Sequence, residues 1–221
     1  MNKLIIFKDL GIIEYKQAFD YQEELFNSII EKKLKNQPTE NYLLFCEHPH
    51  VYTLGKSGDT NNLLINQNFL DKINATFYKT NRGGDITYHG YGQLVIYPIF
   101  DLDNFDILAK KYIWKIEEAI IQTLKEFNII ADRLEGASGV WIDGNTANAR
   151  KICALGVRIS RAVTMHGLAL NLNTDLSYFN HINPCGFVDK GVTSLQKELG
   201  KPIEIGDVKL ILKSKFFNIF E

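Results

Sequence analysis

The groups in this sequence that could do chemistry are a thiol, an amine, several imidazoles and a run of glycines, and they fall in four short stretches. In Asn183-Pro184-Cys185-Gly186 the thiol stands between proline and glycine, a setting for irregular, exposed backbone rather than for a packed strand. The N–H groups that follow are free to face an oxyanion, so Cys185 is the best nucleophile candidate, although a plain turn cysteine fits the same residues. In Arg150-Lys151-Ile152-Cys153-Ala154-Leu155-Gly156-Val157-Arg158 a regular strand puts Ile152, Ala154 and Gly156 on one face and Lys151, Cys153, Leu155 and Val157 on the other. Lys151 then shares a face with apolar residues, where desolvation lowers the pKa of an amine; a solvated strand-end lysine is the simpler alternative. Cys153 reads as inert packing.

The third stretch, Arg82-Gly83-Gly84-Asp85-Ile86-Thr87-Tyr88-His89-Gly90-Tyr91-Gly92-Gln93, is glycine-rich. Glycine lets backbone approach a ligand and turn N–H groups inward, and a pair of tight turns at sheet edges would use the same residues. The spacing is neither G-x-G-x-x-G nor a Walker loop, so phosphate binding has no specific support. In the fourth, Thr164-Met165-His166-Gly167-Leu168-Ala169-Leu170-Asn171, a His-Gly step interrupts a strand, a sign of close approach by a ligand or another backbone. His166 by itself reads as a hydrogen-bonded structural histidine. His48 and His50 flank Pro49 without a third ligand at helical spacing, and no metal is assigned.

The elements that must position these groups are legible from periodicity. Tyr15, Ala18, Phe19, Leu25, Phe26, Ile29 and Ile30 make one stripe of an amphipathic helix over residues 15–34, and a second helix is expected over residues 106–127. β-Branched and aromatic runs predict strands at residues 4–7, 42–46, 76–79, 93–100, 140–143, 151–159 and 163–171. Asp143-Gly144-Asn145 is a hairpin-type turn, and its flanking strands are too close in sequence for a crossover, so this part of the sheet should be antiparallel. The predicted class is α+β, one domain over residues 1–221 with a mixed, largely antiparallel sheet packed by helices. Residues 47–62 read as one long binding loop.

Composition closes off other classes. Of 221 residues, 45% are hydrophobic and 23% charged, values that exclude collagen-like, disordered and coiled-coil chains. Lys+Arg is 25 against Asp+Glu 26, for a net charge of −1, so there is no global field to hold nucleic acid or an anionic membrane. Apolar runs fall short of the roughly 20 residues that span a bilayer, and the start lacks the apolar core of a secretory signal, which makes the cytoplasm the expected location. Cys46, Cys153 and Cys185 are odd in number with no Cys-x-x-Cys pair, so neither a disulfide framework nor a zinc site is expected. Between Gly144 and Thr174 there is no acidic residue while Arg158 and Arg161 add positive charge, a surface suited to an acidic partner.

Taken together, the four stretches resemble the lipoate-biosynthesis octanoyltransferases, also called lipoyl(octanoyl) transferases or lipoate-protein ligase B. The resemblance rests on Arg-Gly-Gly-x-x-Thr-Tyr-His-Gly-x-Gly-Gln, Lys-Ile-x-Ala-Leu-Gly, His-Gly-Leu-Ala-Leu-Asn and Asn-Pro-Cys-Gly in that order, with a similar Glu47-His48-Pro49 loop ahead of them. It implies transfer of an octanoyl group from acyl carrier protein to a lysine of a lipoyl domain, in 2-oxoacid dehydrogenase complexes or the glycine cleavage H protein, through a thioester on Cys185 with Lys151 as its partner. It implies substrate contacts at Arg82, Gly83, Gly84, Asp85, Ile86, Thr87, Tyr88 and His89, at Ala154, Leu155 and Gly156, and at Gly167, Leu168 and Ala169, with no cofactor. Gly83, Gly84, Gly167 and Ala169 would leave room for the alkyl chain. The implied fold is the catalytic domain of biotin and lipoate ligases. Tyr91 stands where the family has proline, and its ring is a candidate cover for the cleft. An ATP-dependent lipoate or biotin ligase and a non-catalytic acyl-carrier docking protein are the competing readings.

Overall fold

The computed structural model describes residues 2–183 and 191–221, and Cys185 lies outside the described residues. In chain order the elements are β1 (Ile5–Ile12), α1 (Tyr15–Leu34), β2 (Asn41–Glu47), β3 (Val51–Leu54), α2 (Gln67–Lys72), β4 (Thr76–Lys79), β5 (Ile86–His89), β6 (Gln93–Ile99), α3 (Ala109–Lys125), β7 (Asp132–Leu134), β8 (Ala137–Ile142), β9 (Arg150–Ser160), β10 (Val163–Asn171), β11 (Gly191–Val192), α4 (Leu195–Leu199) and α5 (Ile205–Phe220). The main sheet runs β1-β2-β6-β10-β9-β8-β7, with β11 added beside β9; β1–β2 and β9–β11 are parallel and the remaining pairs antiparallel. A smaller sheet, β4-β3-β5, stands apart. This is the mixed, largely antiparallel α+β arrangement that the pattern predicts.

Each face of the main sheet has its own apolar cover. On one, Tyr112, Ile116 and Ile120 of α3 and Leu212, Phe216 and Phe220 of α5 pack against Phe45, Ile96, Ile152 and Leu170. On the other, Ala18, Phe26 and Ile29 of α1 pack against Leu44, Val95, Met165 and Ala169. Full burial of each such side chain contributes about 1.5–3 kcal/mol, so the sheet is fixed from both sides. The small sheet holds a third cluster around Tyr52, Leu54, Leu70 and Tyr88.

Several boundaries differ from expectation for local reasons. The helix expected over residues 106–127 begins at Ala109, because Asp106 ends a preceding 3-10 turn in the left-handed region at φ 52°, which no α-helix can include. The stretch 47–62 is not one loop: β3 lies inside it with all four residues buried. Four residues between His50 and Gly55 are too few to show a period. The hairpin expected at Asp143-Gly144-Asn145 forms between β8 and β9, but its connection runs on to Arg150, with Asp143 itself left-handed at φ 52°. The described helices include none that is long and apolar enough to cross a membrane.

Candidate active site

A cleft with about 1060 Å³ of empty space, open mouth included, lies between the main sheet and the small sheet. Arg82, Gly84, Asp85, Ile86, Thr87 and His89 line one wall, and Lys151, Ala154, Leu155, Gly156, Gly167, Leu168 and Ala169 line the other. Two residues expected there do not line it. Tyr88 is fully buried in the small sheet's own core, where its hydroxyl is 2.7 Å from His50 Nδ1. Gly83 instead ties the loop to β9, its N–H donating to Val157 O at 2.9 Å. Tyr91 does not cover the cleft either; it is 47% exposed, edge-on to His50 at 5.1 Å.

The glycines act mainly by letting backbones meet, not by leaving space for a chain. A Cβ on Gly167 would stand 2.1 Å from Ile96 O, and one on Gly156 would stand 2.9 Å from Gly83 O. Gly167 therefore seats β10 against β6, and Gly156 seats the glycine-rich loop on β9. Arg82 stiffens that loop from within: its guanidinium donates to Thr53 O at 2.6 Å, Asp85 O at 2.7 Å and Gly83 O at 3.0 Å.

Lys151 reaches the cleft through a departure from regular alternation. Opposite β8, Val140 pairs with Cys153 but Trp141 pairs with Lys151, so Ile152 is an extra residue, a β-bulge. Ile152 and Cys153 both turn into the core beneath α3 and α5. Lys151 is thereby moved to the opposite face, with Ala154 and Gly156 rather than with Cys153, Leu155 and Val157. There its Nζ lies over the Trp141 ring, 4.6 Å from the centroid. Val192 of β11 is its register partner on the other side.

The imidazoles of the cleft are neutral. Burial, helped by the nearby His48 and Arg82, pushes His89 down to about 3. Burial, with Arg82 and Arg158 nearby, does the same to His166, also to about 3. His166 is not an ordinary strand residue: its backbone is left-handed at φ 62°, its N–H donates to Gln22 Oε1 at 3.1 Å, and its Nε2 is 2.6 Å from Asn81 Oδ1. His48 is occupied at both nitrogens, by Ile13 O and the Tyr97 hydroxyl at 2.8 Å each. Cys46 and Cys153 are fully buried, and burial raises both thiols far above the usual range, which makes them poor nucleophiles.

Tyr15, Gln93, Tyr97, Trp141 and Asn171 also line the cleft, and sequence reasoning about the site did not select them. Gln93 and Asn171 close motifs already singled out, so their position was a usable signal. Tyr15 belongs to the apolar stripe of α1 and Trp141 to a strand, and neither carries a mark that separates it from core.

Compared with known proteins, the family described as "Lipoyl protein ligase A/B catalytic domain" matches residues 14–217. An octanoyltransferase of Cytophaga hutchinsonii is 55% identical over the whole of this chain and 94% of its own length. A solved structure of lipoate-protein ligase A bound with ATP aligns with TM-score 0.71 at 14% identity, covering 99% of this chain and 85% of that one. Biotin protein ligase from Aquifex aeolicus aligns with TM-score 0.54 at 13% identity, covering 98% of this chain and 69% of that one. The fold is thus the one that lipoate and biotin ligases share.

Proposed function

The chain belongs to the lipoyl protein ligase A/B catalytic-domain family, and from that premise we propose that it is a cytoplasmic octanoyltransferase. It takes an octanoyl group from acyl carrier protein and joins it to a lysine of a lipoyl domain, in a 2-oxoacid dehydrogenase complex or in the glycine cleavage H protein. The observation that carries this reading is the cleft: buried Tyr15, Val95 and Tyr97 and half-buried Lys151 line the same cavity, so apolar side chains and an amine share one slot. Each methylene buried in such a slot contributes ~0.8 kcal/mol, enough over an eight-carbon chain to select length.

The chemistry divides into two balanced steps. The Cys185 thiolate attacks the donor thioester; a sulfur–carbonyl bond forms, the carrier sulfur leaves, and the Lys151 ammonium gives it a proton. Neutral Lys151 then takes a proton from the incoming lysine ammonium, and the freed amine attacks the octanoyl-Cys185 carbonyl. The amide forms, the cysteine sulfur leaves, and the remaining proton goes to solvent. Backbone N–H groups near Leu155, Gly156 or Gly186 are candidates to stabilise the oxyanion. Amide formation from a thioester is downhill, so no ATP is consumed. Cys185 lies outside the described residues; its assignment is supported by the burial of the other two thiols and by the motif around it. The positive charge of exposed Arg161 at the β9–β10 turn and of Arg158, whose guanidinium lies 4.8 Å from the Phe26 ring centroid, supports docking of an acidic carrier on this face.

The test is mass spectrometry of the protein mixed with octanoyl-carrier, followed by addition of a lipoyl domain without ATP. An octanoyl adduct on Cys185 that passes to the domain supports the reading. Adenylation of free octanoate in the presence of ATP, with no adduct, would replace it by the ligase reading; carrier binding with neither would leave a docking protein.

A further inference from the structure

A run of hydrogen bonds, all pointing the same way, crosses from the glycine-rich loop to the strand that bears Lys151. Arg82 Nη2 donates to Thr53 Oγ1 at 3.0 Å, and that hydroxyl lies 3.4 Å from His89 Nε2. His89 Nδ1 is 2.8 Å from Gln93 Oε1. Gln93 Nε2 donates to Asn171 Oδ1 at 2.9 Å and to Tyr88 O at 3.1 Å. Asn171 Nδ2 donates to Thr193 O at 2.9 Å, and the Thr193 N–H donates to Lys151 O at 3.0 Å. Thr53, His89, Gln93, Asn171 and Thr193 are all buried.

The direction is forced by the middle of the chain. Both hydrogens of the Gln93 amide face acceptors, so its oxygen can only accept and His89 must donate from Nδ1. His89 Nε2 is then a lone pair, and Thr53, which already accepts from Arg82, supplies it with the hydroxyl proton. At the other end the described residues of β11, Gly191 and Val192, pair with Arg150 and Lys151 of β9. Next to that ladder the Asn171 amide donates to Thr193 O and Thr193 Oγ1 donates to Glu198 at 2.5 Å, contacts that fix the C-terminal side of β11. Hydrogen bonds aligned in series in a low-dielectric interior strengthen one another.

We propose that Gln93 and Asn171 are positioning residues: they hold His89 in the cleft wall as its Nδ1–H tautomer and pin β11 beside Lys151, so that the two walls of the cleft keep a fixed separation. The activity arm of the test rests on the octanoyltransferase reading; the spectroscopic arm does not. In protein labelled with 15N at histidine, long-range 1H–15N spectra at neutral pH should show His89 protonated at Nδ1. Gln93→Met should lose that tautomer, and Gln93→Glu, which still accepts from His89 but cannot donate to Asn171, should keep it. Asn171→Leu and Gln93→Glu should each lower kcat for transfer roughly 10- to 10²-fold while KM for the carrier-bound donor stays within about 2-fold. The control is Asn104→Leu, which removes a buried amide from a separate cluster with Thr39 and Asn41 and should lower Tm without touching kcat. An Nε2–H tautomer in the wild type overturns the proposal, as does an Asn171→Leu protein that loses Tm like Asn104→Leu but keeps its kcat. If the wild type transfers no octanoyl group to any acceptor, the functional reading fails, and the tautomer spectra still decide the chain.

Discussion

Replacing Tyr91 with proline should stabilise the turn it occupies, and the size of the effect can be worked from the backbone. The Gln93 N–H donates to Gly90 O at 3.2 Å, and Gly92 is left-handed at φ 75°. A bond closing over four residues with positive φ at the third position alone is a type II turn, whose second position, here Tyr91, favours proline. Among the described residues none accepts the Tyr91 N–H, so proline removes no donor bond. The residue before it is glycine, the one best able to tolerate a following proline. Restricting the unfolded chain is worth ~0.4–1 kcal/mol. Against this stands the exposed edge contact of the Tyr91 ring with His50, which Tyr91→Ala measures separately. Tyr91→Pro should therefore exceed Tyr91→Ala in stability by ~0.4–1 kcal/mol, about 1–4 °C in Tm for a chain of this length. Because Tyr91 does not line the cleft, turnover and chain-length preference should both stay at wild-type values. Gly92→Ala should act oppositely, since its φ disfavours a side chain and its Cβ would stand 2.7 Å from the Asn173 carbonyl carbon. Denaturant melts of the three variants decide it; a Tyr91→Pro protein less stable than Tyr91→Ala would show that the turn is not type II.

Lys151→Met should fold normally and lose on the order of 10²-fold or more in transfer, with Lys151→Arg nearly as impaired because a guanidinium does not deprotonate; full activity of Lys151→Arg across pH would refute the base role. Cys46→Ala and Cys153→Ala should retain the acyl adduct and Cys185→Ala should lose it, as read by peptide mass spectrometry; an adduct mapped to Cys153 would overturn the assignment. Ala162→Gly should raise stability by about 1 kcal/mol, because the two-residue β9–β10 turn holds Arg161 at φ 52° and Ala162 at φ 60°, where a side chain is disfavoured; chemical denaturation gives the sign. His89 and His166, held down to about 3, and His48, to about 4, are neutral in the fold but titrate near 6.5 when unfolded. The unfolded chain thus binds more protons, and the stability they contribute is intact above pH 6.5 and lost as pH falls towards 4, by up to about 4 kcal/mol per pH unit for the three together. Urea melts at descending pH should show this, with a shallower slope in His166→Gln; an unchanged slope would mean that His166 is protonated in the fold.

What was legible in the sequence depended on how many residues carried the signal. Helix α1 and strand β10 match their predicted ranges because each repeats its pattern over nine or more residues. Strands β3 and β5 have four residues each and sit among glycines and histidines, so turn chemistry masks them. The motifs that end in Gln93 and Asn171 pointed to the right region, yet the function of those two amides depends on partners tens of residues away, Asn171 and Thr193, that only the sheet topology brings together. Gly167 shows the converse case. A glycine in a strand signals close approach, but the sequence cannot say whether a ligand or a neighbouring strand approaches, and here it is β6.

The bulge at Ile152 is where local rule and chemistry part most sharply. Regular alternation would send Lys151 to the side of Cys153, Leu155 and Val157, into the apolar layer under α3 and α5. An unpaired ammonium there carries a desolvation cost of several kcal/mol, which the apolar neighbours on that face do nothing to offset. Ile152, by contrast, gains about 1.5–3 kcal/mol from entering that layer. One inserted residue satisfies both preferences: the isoleucine goes in, the lysine goes out, and the penalty is one disrupted step of the β8–β9 ladder. The same step sets Lys151 between its register partners Trp141 and Val192, in the lining of the cleft. The placement of the amine thus follows from core packing at this one step of the ladder.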